Sequence, residues 1–300
     1  MSISHLKAGR NEAGFTLIEL SIVLVIIGLI VGGILTGQDL IKAAEQRATL
    51  AQIEKYNTAV NTFRNKFGFI PGDIPWATAS GFGLGAYTGG GDGNGILSDT
   101  ANGTNVASAP VGETLLIWQQ LGTAGLIDGS FGSDLTAAGA APASGVTAND
   151  LPLAKLGRGN YLIAGSSNSE GFNFFGLAGV TGSFTGGAVG TATYSASSTN
   201  NLSPIELYSM DKKVDDGLPN TGTVQARDAT KVTKLVSILE GYGTGGYTTA
   251  APNYQATPTT TASCVTTGGS TSSTSDTYAV STGGVSPGTT PNCSARFRFN

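Results

Sequence analysis

The chain has 300 residues, of which 45 are glycine and only 12% are charged. The share of glycine is about twice that of an average soluble protein, and the share of charged residues is about half. This composition excludes a pair of ordinary cytosolic enzyme domains. One compact core carrying long polar loops is favoured instead. The net charge of −4 excludes a protein that grips nucleic acid over its whole surface, so no specific nucleic-acid partner is predicted.

Histidine and cysteine usage excludes further classes of site. The single histidine is His5, so neither a Ser-His-Asp triad nor a histidine-ligated zinc site is predicted. The two cysteines, Cys264 and Cys293, lie in a segment that we expect outside the cytoplasm, which favours one disulfide. Two isolated buried thiols are the alternative.

The N-terminus changes abruptly from polar to apolar. The first 14 residues carry Lys7 and Arg10, and the run from Phe15 to Leu35 is apolar. As a helix this run would cover about 31 Å, the hydrocarbon thickness of a bilayer. Because positive residues precede it, the start should face the cytoplasm and the remainder should be exported. No A-x-A cleavage pattern follows Leu35, so the run should stay with the mature protein.

One acid, Glu19, lies near the beginning of the apolar run. An unpaired carboxylate in hydrocarbon costs on the order of 2–3 kcal/mol, so a neutralising partner is expected. Cleavage after Gly14 would give Phe15 a free α-amino group at the depth of Glu19. We therefore predict that Glu19 pairs with the Phe15 amine of a neighbouring copy during assembly.

The run Gly14-Phe15-Thr16-Leu17-Ile18-Glu19 resembles the cleavage and methylation motif of the type IV pilin superfamily. The resemblance implies cleavage between Gly14 and Phe15 by a prepilin peptidase, N-methylation of Phe15, and a role for Glu19 in fibre assembly. A plain signal anchor with an accidental Glu19 is the alternative. Many pilins have a proline just beyond the span, whereas the first proline here is Pro71.

An apolar stripe extends the helix beyond the membrane-length run, until Gly68 and Pro71 end it. The stripe has spacings of three and four and comprises Ile53, Tyr56, Val60, Phe63 and Phe67. We therefore predict three parts: a cleaved leader over residues 1–14, a helix over 15–67 whose first part, 15–35, spans the membrane, and a head over 68–300. The predicted fold class is α+β and pilin-like, with the long helix packed on an antiparallel sheet that carries long Gly-, Ser- and Thr-rich loops.

Two further helices and two paired strands are predicted in the head. The helices are Glu113–Leu121, with Trp118 in the core, and a segment that begins with a capping box at Ser203 and runs to about Lys212. The strands are Tyr161–Gly165 and Phe172–Leu177, for which antiparallel pairing is expected.

The C-terminal segment is predicted to be a lobe bounded by the disulfide. Thr257–Thr277 is nearly all Ser and Thr, so it should bury little. Ser294–Phe299 alternates between apolar and charged residues, which predicts a strand. Its inward residues would be Phe297 and Phe299, and its solvated residues Arg296 and Arg298. The arrangement resembles the disulfide-bounded loop of many pilins.

Two acidic segments are weak candidates for calcium, and no other cofactor is predicted. Asp92 and Asn94 stand two apart, and Asp99 would add a carboxylate. The next position expected of a calcium loop is Ile96, so a tight Gly-rich turn is favoured there. The second group is Asp211, Asp215 and Asp216, for which a helix end and turn are favoured over calcium.

The resemblance implies a structural subunit, and no enzyme activity. The expected protein is a major or minor pilin of a type IV pilus-like filament, with cell adhesion as one role. Its implied partners are copies of itself, other pilins, prepilin peptidase/methyltransferase, an inner-membrane assembly platform and, before assembly, membrane lipid. It would be a single-pass precursor in the bacterial inner membrane and later lie in a pilus at the cell surface or in a periplasm-spanning filament.

Three alternatives remain open. A type II secretion pseudopilin shares these features, and a tip subunit that binds DNA or a host surface would assemble in the same way. A membrane-tethered hydrolase, from a different class, would use paired carboxylates such as Asp92 with Asp215 or Asp216.

Overall fold

The computed structural model describes residues 14, 16–84, 90–97, 112–131, 150–167, 171–179, 202–228, 264–266, 277–280 and 293–299. The chain divides into two compact units, Met1–Ala44 and Glu45–Asn300. The helices are α1 (Leu17–Phe67), α2 (Trp76–Gly81), α3 (Glu113–Thr123) and α4 (Pro204–Val214). The strands are β1 (Asn160–Ser167), β2 (Phe172–Gly179), β3 (Val224–Asp228), β4 (Val265–Thr266), β5 (Thr277–Tyr278) and β6 (Cys293–Phe299). The fold is α+β, as the sequence predicted.

The long helix predicted from the apolar stripe is confirmed as α1. In the second unit its stripe is buried at Ile53, Tyr56 and Val60, and Phe63 is wholly buried. The helix ends where Gly68 adopts a φ of +80° and donates its N–H to the carbonyl of Arg64 at 2.8 Å. Glycine adopts this left-handed conformation without the steric penalty of a side chain, so it closes the last turn.

Polar contacts hold the start of the second unit. The guanidinium of Arg158 lies 3.1 Å from the Glu206 carboxylate on α4 and 3.7 Å from that of Glu45 on α1. One turn further along α4, the Ser209 hydroxyl donates to Gln46 at 2.8 Å. These contacts tie α1 to α4 from residue 45 onwards.

The main sheet has the strand order β1-β2-β6-β3, and all of its described pairs are antiparallel. One face packs on α1 and α3 through aromatic rings. Tyr56 lies 5.3 Å from Trp118 and 6.4 Å from Phe175, measured between ring centroids. Phe175 stacks in turn on Phe299 at 4.1 Å. The predicted strand pair and the core position of Trp118 are confirmed.

The prediction that Arg296 faces solvent is wrong. Only 1% of Arg296 is exposed, and its guanidinium lies 3.9 Å from the ring centroid of Phe174. Its Nε donates to Gln225 on β3 at 2.8 Å. Arg298 is half-buried, and its guanidinium lies 3.2 Å from the centroid of the Phe172 ring. The alternation of apolar and charged residues assigns them correctly to opposite faces of β6. The face that carries the arginines is nevertheless covered, because both guanidinium groups lie over aromatic rings of β2.

Of the Ser/Thr tract over 257–277 the structure describes residues 264–266 and 277, among which Cys264 and Val265 are buried. Strands β4 and β5 pair antiparallel, with Val265 opposite Tyr278, and both of these residues are buried. Cys264 and Cys293 form the predicted disulfide. Because Cys293 begins β6, the disulfide joins the small sheet to the main sheet. A loop closed over 29 positions stabilises a fold by roughly 3–4 kcal/mol in the loop-entropy model.

Candidate processing and assembly site

The N-terminal end of α1 is capped by a residue that the sequence analysis did not single out. Thr16 donates its backbone N–H to Glu19 at 2.8 Å and its hydroxyl at 2.6 Å. The Glu19 N–H is in turn 3.3 Å from the Thr16 hydroxyl oxygen. This reciprocal pattern is a capping box, which the spacing of Thr16 and Glu19 could have predicted. Within the single chain, the Glu19 carboxylate therefore has hydrogen-bond donors but no cation among the described residues.

The first part of α1 exposes a continuous apolar surface. The large apolar side chains from Leu17 to Ile41 are between 48% and 86% exposed. By length and composition, α1 contains a segment that is apolar enough to cross a membrane. Such a surface is unfavourable in water and is suited to lipid or to packing against other apolar helices.

The first acidic group comprises Asp73, Asp92 and Glu113, whose carboxylates offer oxygens within 4.8 Å of one another. The sequence analysis missed Asp73 and Glu113, because no spacing rule connects them to Asp92. Asp73 is buried and accepts N–H groups from Gly93 and Gly95, each at 2.8 Å. Burial raises the pKa of Asp73 to about 6, although these hydrogen bonds oppose the shift.

The loop that contains Asp92 has the hydrogen bonds of a tight turn. The Asp92 carboxylate accepts the N–H of Asn94 at 3.0 Å, and the Asn94 side-chain oxygen accepts the N–H of Ile96 at 2.7 Å. Such bonds to the backbone two residues further on are typical of turns. Asp99 lies outside the described residues. Calcium binding by this loop stays a prediction.

The second acidic group, Asp211, Asp215 and Asp216, also places carboxylate oxygens within 4.8 Å of one another. Asp216 accepts the N–H of Leu218 at 2.8 Å, and Asp215 accepts that of Val224 at 3.1 Å. These contacts close the turn after α4 and begin β3, which is the structural role that the sequence favoured. Calcium binding by this group also stays a prediction.

Asp211 is the buried member of the second group. Its carboxylate accepts the Tyr278 hydroxyl at 2.7 Å and the Gly217 N–H at 3.2 Å. Burial is the main cause that raises the pKa of Asp211 to about 6, and the hydrogen bond from Tyr278 opposes it. Because Tyr278 belongs to β5, Asp211 connects α4 to the C-terminal lobe.

We expect this carboxyl group to make the fold less stable as the pH rises. The folded protein binds the Asp211 proton more tightly than the unfolded chain does. The protonated carboxyl group therefore stabilises the fold fully below the pKa of the unfolded chain, and this stabilisation is lost as the pH rises through about 6. Thermal melts of the full chain should show that this group lowers the free energy of unfolding by on the order of 1–2 kcal/mol between about pH 5 and pH 7.5. Asp211→Asn should reduce that difference, whereas the exposed-site control Asp128→Asn should not. An unchanged difference in the Asp211→Asn variant would contradict the assignment.

Comparison with family models finds a match at the N-terminus. Residues 9–35 match the prokaryotic N-terminal methylation motif. The matched span contains Gly14, Phe15 and Glu19 and continues into the exposed apolar part of α1. The N-terminal segment is type IV pilin-like. No curated protein and no solved structure matches the chain.

The pilin-like segment places the predicted processing residues at the start of α1. Gly14 precedes the helix, and a β-carbon built on it would meet no atom of the described residues within 4 Å, its chain neighbours aside. Phe15 lies outside the described residues, so its pairing with Glu19 stays a prediction. Three features of the chain fit a pilin: the matched motif, the apolar first part of α1, and the buried disulfide of the C-terminal lobe.

Proposed function

We propose that this chain is a structural subunit, a major or minor pilin, of a type IV pilus-like filament. The observation that carries the proposal is the methylation motif over residues 9–35, which leads directly into an exposed apolar helix. In this proposal a prepilin peptidase cuts after Gly14, Phe15 is N-methylated, and the apolar part of α1 forms the filament core with equivalent helices.

The energetics of α1 support this transfer from membrane to filament. Every backbone polar group inside a helix is already hydrogen-bonded, so the helix can leave lipid without exposing unsatisfied groups. Its apolar surface exchanges lipid for neighbouring helices at little hydrophobic cost. Glu19 then exchanges the neutral donors of Thr16 for the cationic amine of a neighbouring Phe15, which is a stronger partner in an apolar surrounding.

A structural role also fits the arrangement of the acids better than hydrolysis does. Asp92 belongs to one acidic group, whereas Asp215 and Asp216 belong to another. Asp92, Asp215 and Asp216 each accept N–H groups of neighbouring turns. Their hydrogen bonds are those of residues that hold loops in place.

The implied life cycle begins with a single-pass precursor in the bacterial inner membrane. Its partners there are lipid, the prepilin peptidase/methyltransferase and an assembly platform. After assembly its partners are copies of itself and other pilins in a filament at the cell surface.

Cell fractionation tests this function. We expect mechanical shearing of the native cells to release the chain in sedimentable filaments, and immunolabelling to place it along or at the end of those filaments. Recovery of the chain only as a monomer in the membrane fraction would contradict the proposal. Recovery of filaments that stay within the cell envelope would favour a secretion pseudopilus over a surface pilus.

A further inference from the structure

We infer that a groove beside the second half of α1 binds the helix of a second copy of this chain at the segment around Asp39. The inference rests on the proposed function and names the surface by which one subunit holds the next. The groove has a volume of about 560 Å³. Its two walls are formed by Ala48, Ala51 and Lys55 of α1 and by Asp128, Leu153 and Lys155 of the facing loops.

The groove offers an apolar surface that a helix can approach closely. Ala48 and Ala51 are exposed neighbours on one face of α1, and such small side chains let a second helix pack near the backbone. On the other wall Leu153 is 54% exposed. An apolar side chain of a partner would remove these groups from water.

The two walls are fixed to each other before any partner binds. The Gln52 side chain donates to the carbonyl of Leu153 at 2.9 Å, and its oxygen accepts the N–H of Lys155 at 2.8 Å. One side chain on α1 therefore holds the facing loop by two backbone hydrogen bonds. A preformed groove needs less ordering on binding, which favours association.

The rim of the groove carries one cation in excess. Lys55 forms an ion pair with Asp128 at 2.6 Å. Lys155 is exposed, and in the part of the chain that the structure describes its ammonium group has no hydrogen bond or ion pair. An acid on an otherwise apolar segment would complement this rim.

The segment around Asp39 has that chemistry. Leu40 and Ile41 are 68% and 60% exposed, and Asp39 is exposed with no ion pair among the described residues. Glu19 and Asp39 are the two acids between Gly14 and Lys42. Because the proposed function pairs Glu19 with an amine, Asp39 is the remaining acid of this apolar segment. We therefore pair Asp39 of one copy with Lys155 of the next.

Charge reversal tests the pairing in native cells with the full-length chain. Asp39→Lys and Lys155→Asp should each lower the amount of chain in sheared filaments by about tenfold, because each places like charges together. The double variant should recover most of the wild-type amount. Combining Asp39→Lys with Arg64→Glu, a reversal on α1 away from the groove, should give no recovery. Circular dichroism melts of the purified variants check that each chain folds.

A zero-length carbodiimide cross-link gives a second measurement on wild-type filaments. Filaments assembled from isotopically heavy and light chains should yield a mixed-label peptide pair that joins Asp39 to Lys155. Two outcomes overturn the inference while the proposed function stands: filaments form but contain no such pair, or the double reversal is no better than either single variant. Absence of wild-type filaments would instead be a failure of the proposed function.

Discussion

Glu19→Ala should abolish incorporation of the chain into filaments and leave its insertion into the membrane intact. Insertion depends on the apolar part of α1, and loss of a carboxylate makes that part more apolar. In the proposed filament, assembly depends on the charge, because the pair between Glu19 and a neighbouring Phe15 amine would form in an apolar surrounding. Removal of one partner of a buried ion pair costs about 3–5 kcal/mol, so a loss of roughly a hundredfold or more is expected in the sheared fraction.

Two further substitutions separate charge from hydrogen bonding at this position. Glu19→Gln keeps an acceptor for the hydroxyl of Thr16 but has no charge, and it should assemble as poorly as Glu19→Ala. Thr16→Val removes the hydroxyl that Glu19 accepts in the single chain, and it should still assemble. Glu54→Ala, at an exposed acid in the second half of α1, is the matched control and should assemble normally. Normal incorporation of Glu19→Gln would refute ion pairing as the assembly mechanism.

Much of the fold could be predicted because its signals are local. The stripe from Ile53 to Phe67 has the helical repeat, and the capping box that Ser203 forms with Glu206 fixes the start of α4. Gly68 marks the end of α1 through a backbone conformation that favours glycine. Each of these signals lies within one turn of the element that it specifies.

The features that could not be predicted depend on contacts between distant segments. Arg296 alternates like a solvated residue, but the ring of Phe174 on a neighbouring strand covers its guanidinium. Tyr278 lies at the end of a polar tract, yet its ring is buried and its hydroxyl bonds to Asp211, 67 positions earlier. Composition describes a segment alone and carries no information about what packs on it.

The same distinction applies to the candidate site. Gly14 and Glu19 could be singled out because the methylation motif is short and continuous along the chain. Thr16 could have been identified as well, since a capping box has a fixed spacing. The grouping of Asp73 with Asp92 could not, because it depends on how two loops fold together.

The substitution Gly14→Val should block cleavage of the leader completely. A β-carbon built at this position meets no atom within 4 Å among the described residues beyond its chain neighbours, so the substitution should leave the described fold unchanged and act on recognition by the peptidase. We expect Gly14→Val to accumulate as a membrane-bound precursor that retains its first 14 residues and is absent from sheared filaments. Normal processing of this variant would contradict the assigned cleavage position.

The most direct test is the intact mass and N-terminal peptide of the wild-type chain isolated from its native cells. We expect the mature chain to begin at Phe15 and its terminal amine to carry one methyl group. A mature chain that still begins at Met1 or Ser2 would contradict the proposed assembly, because Glu19 would then have no freed amine to pair with.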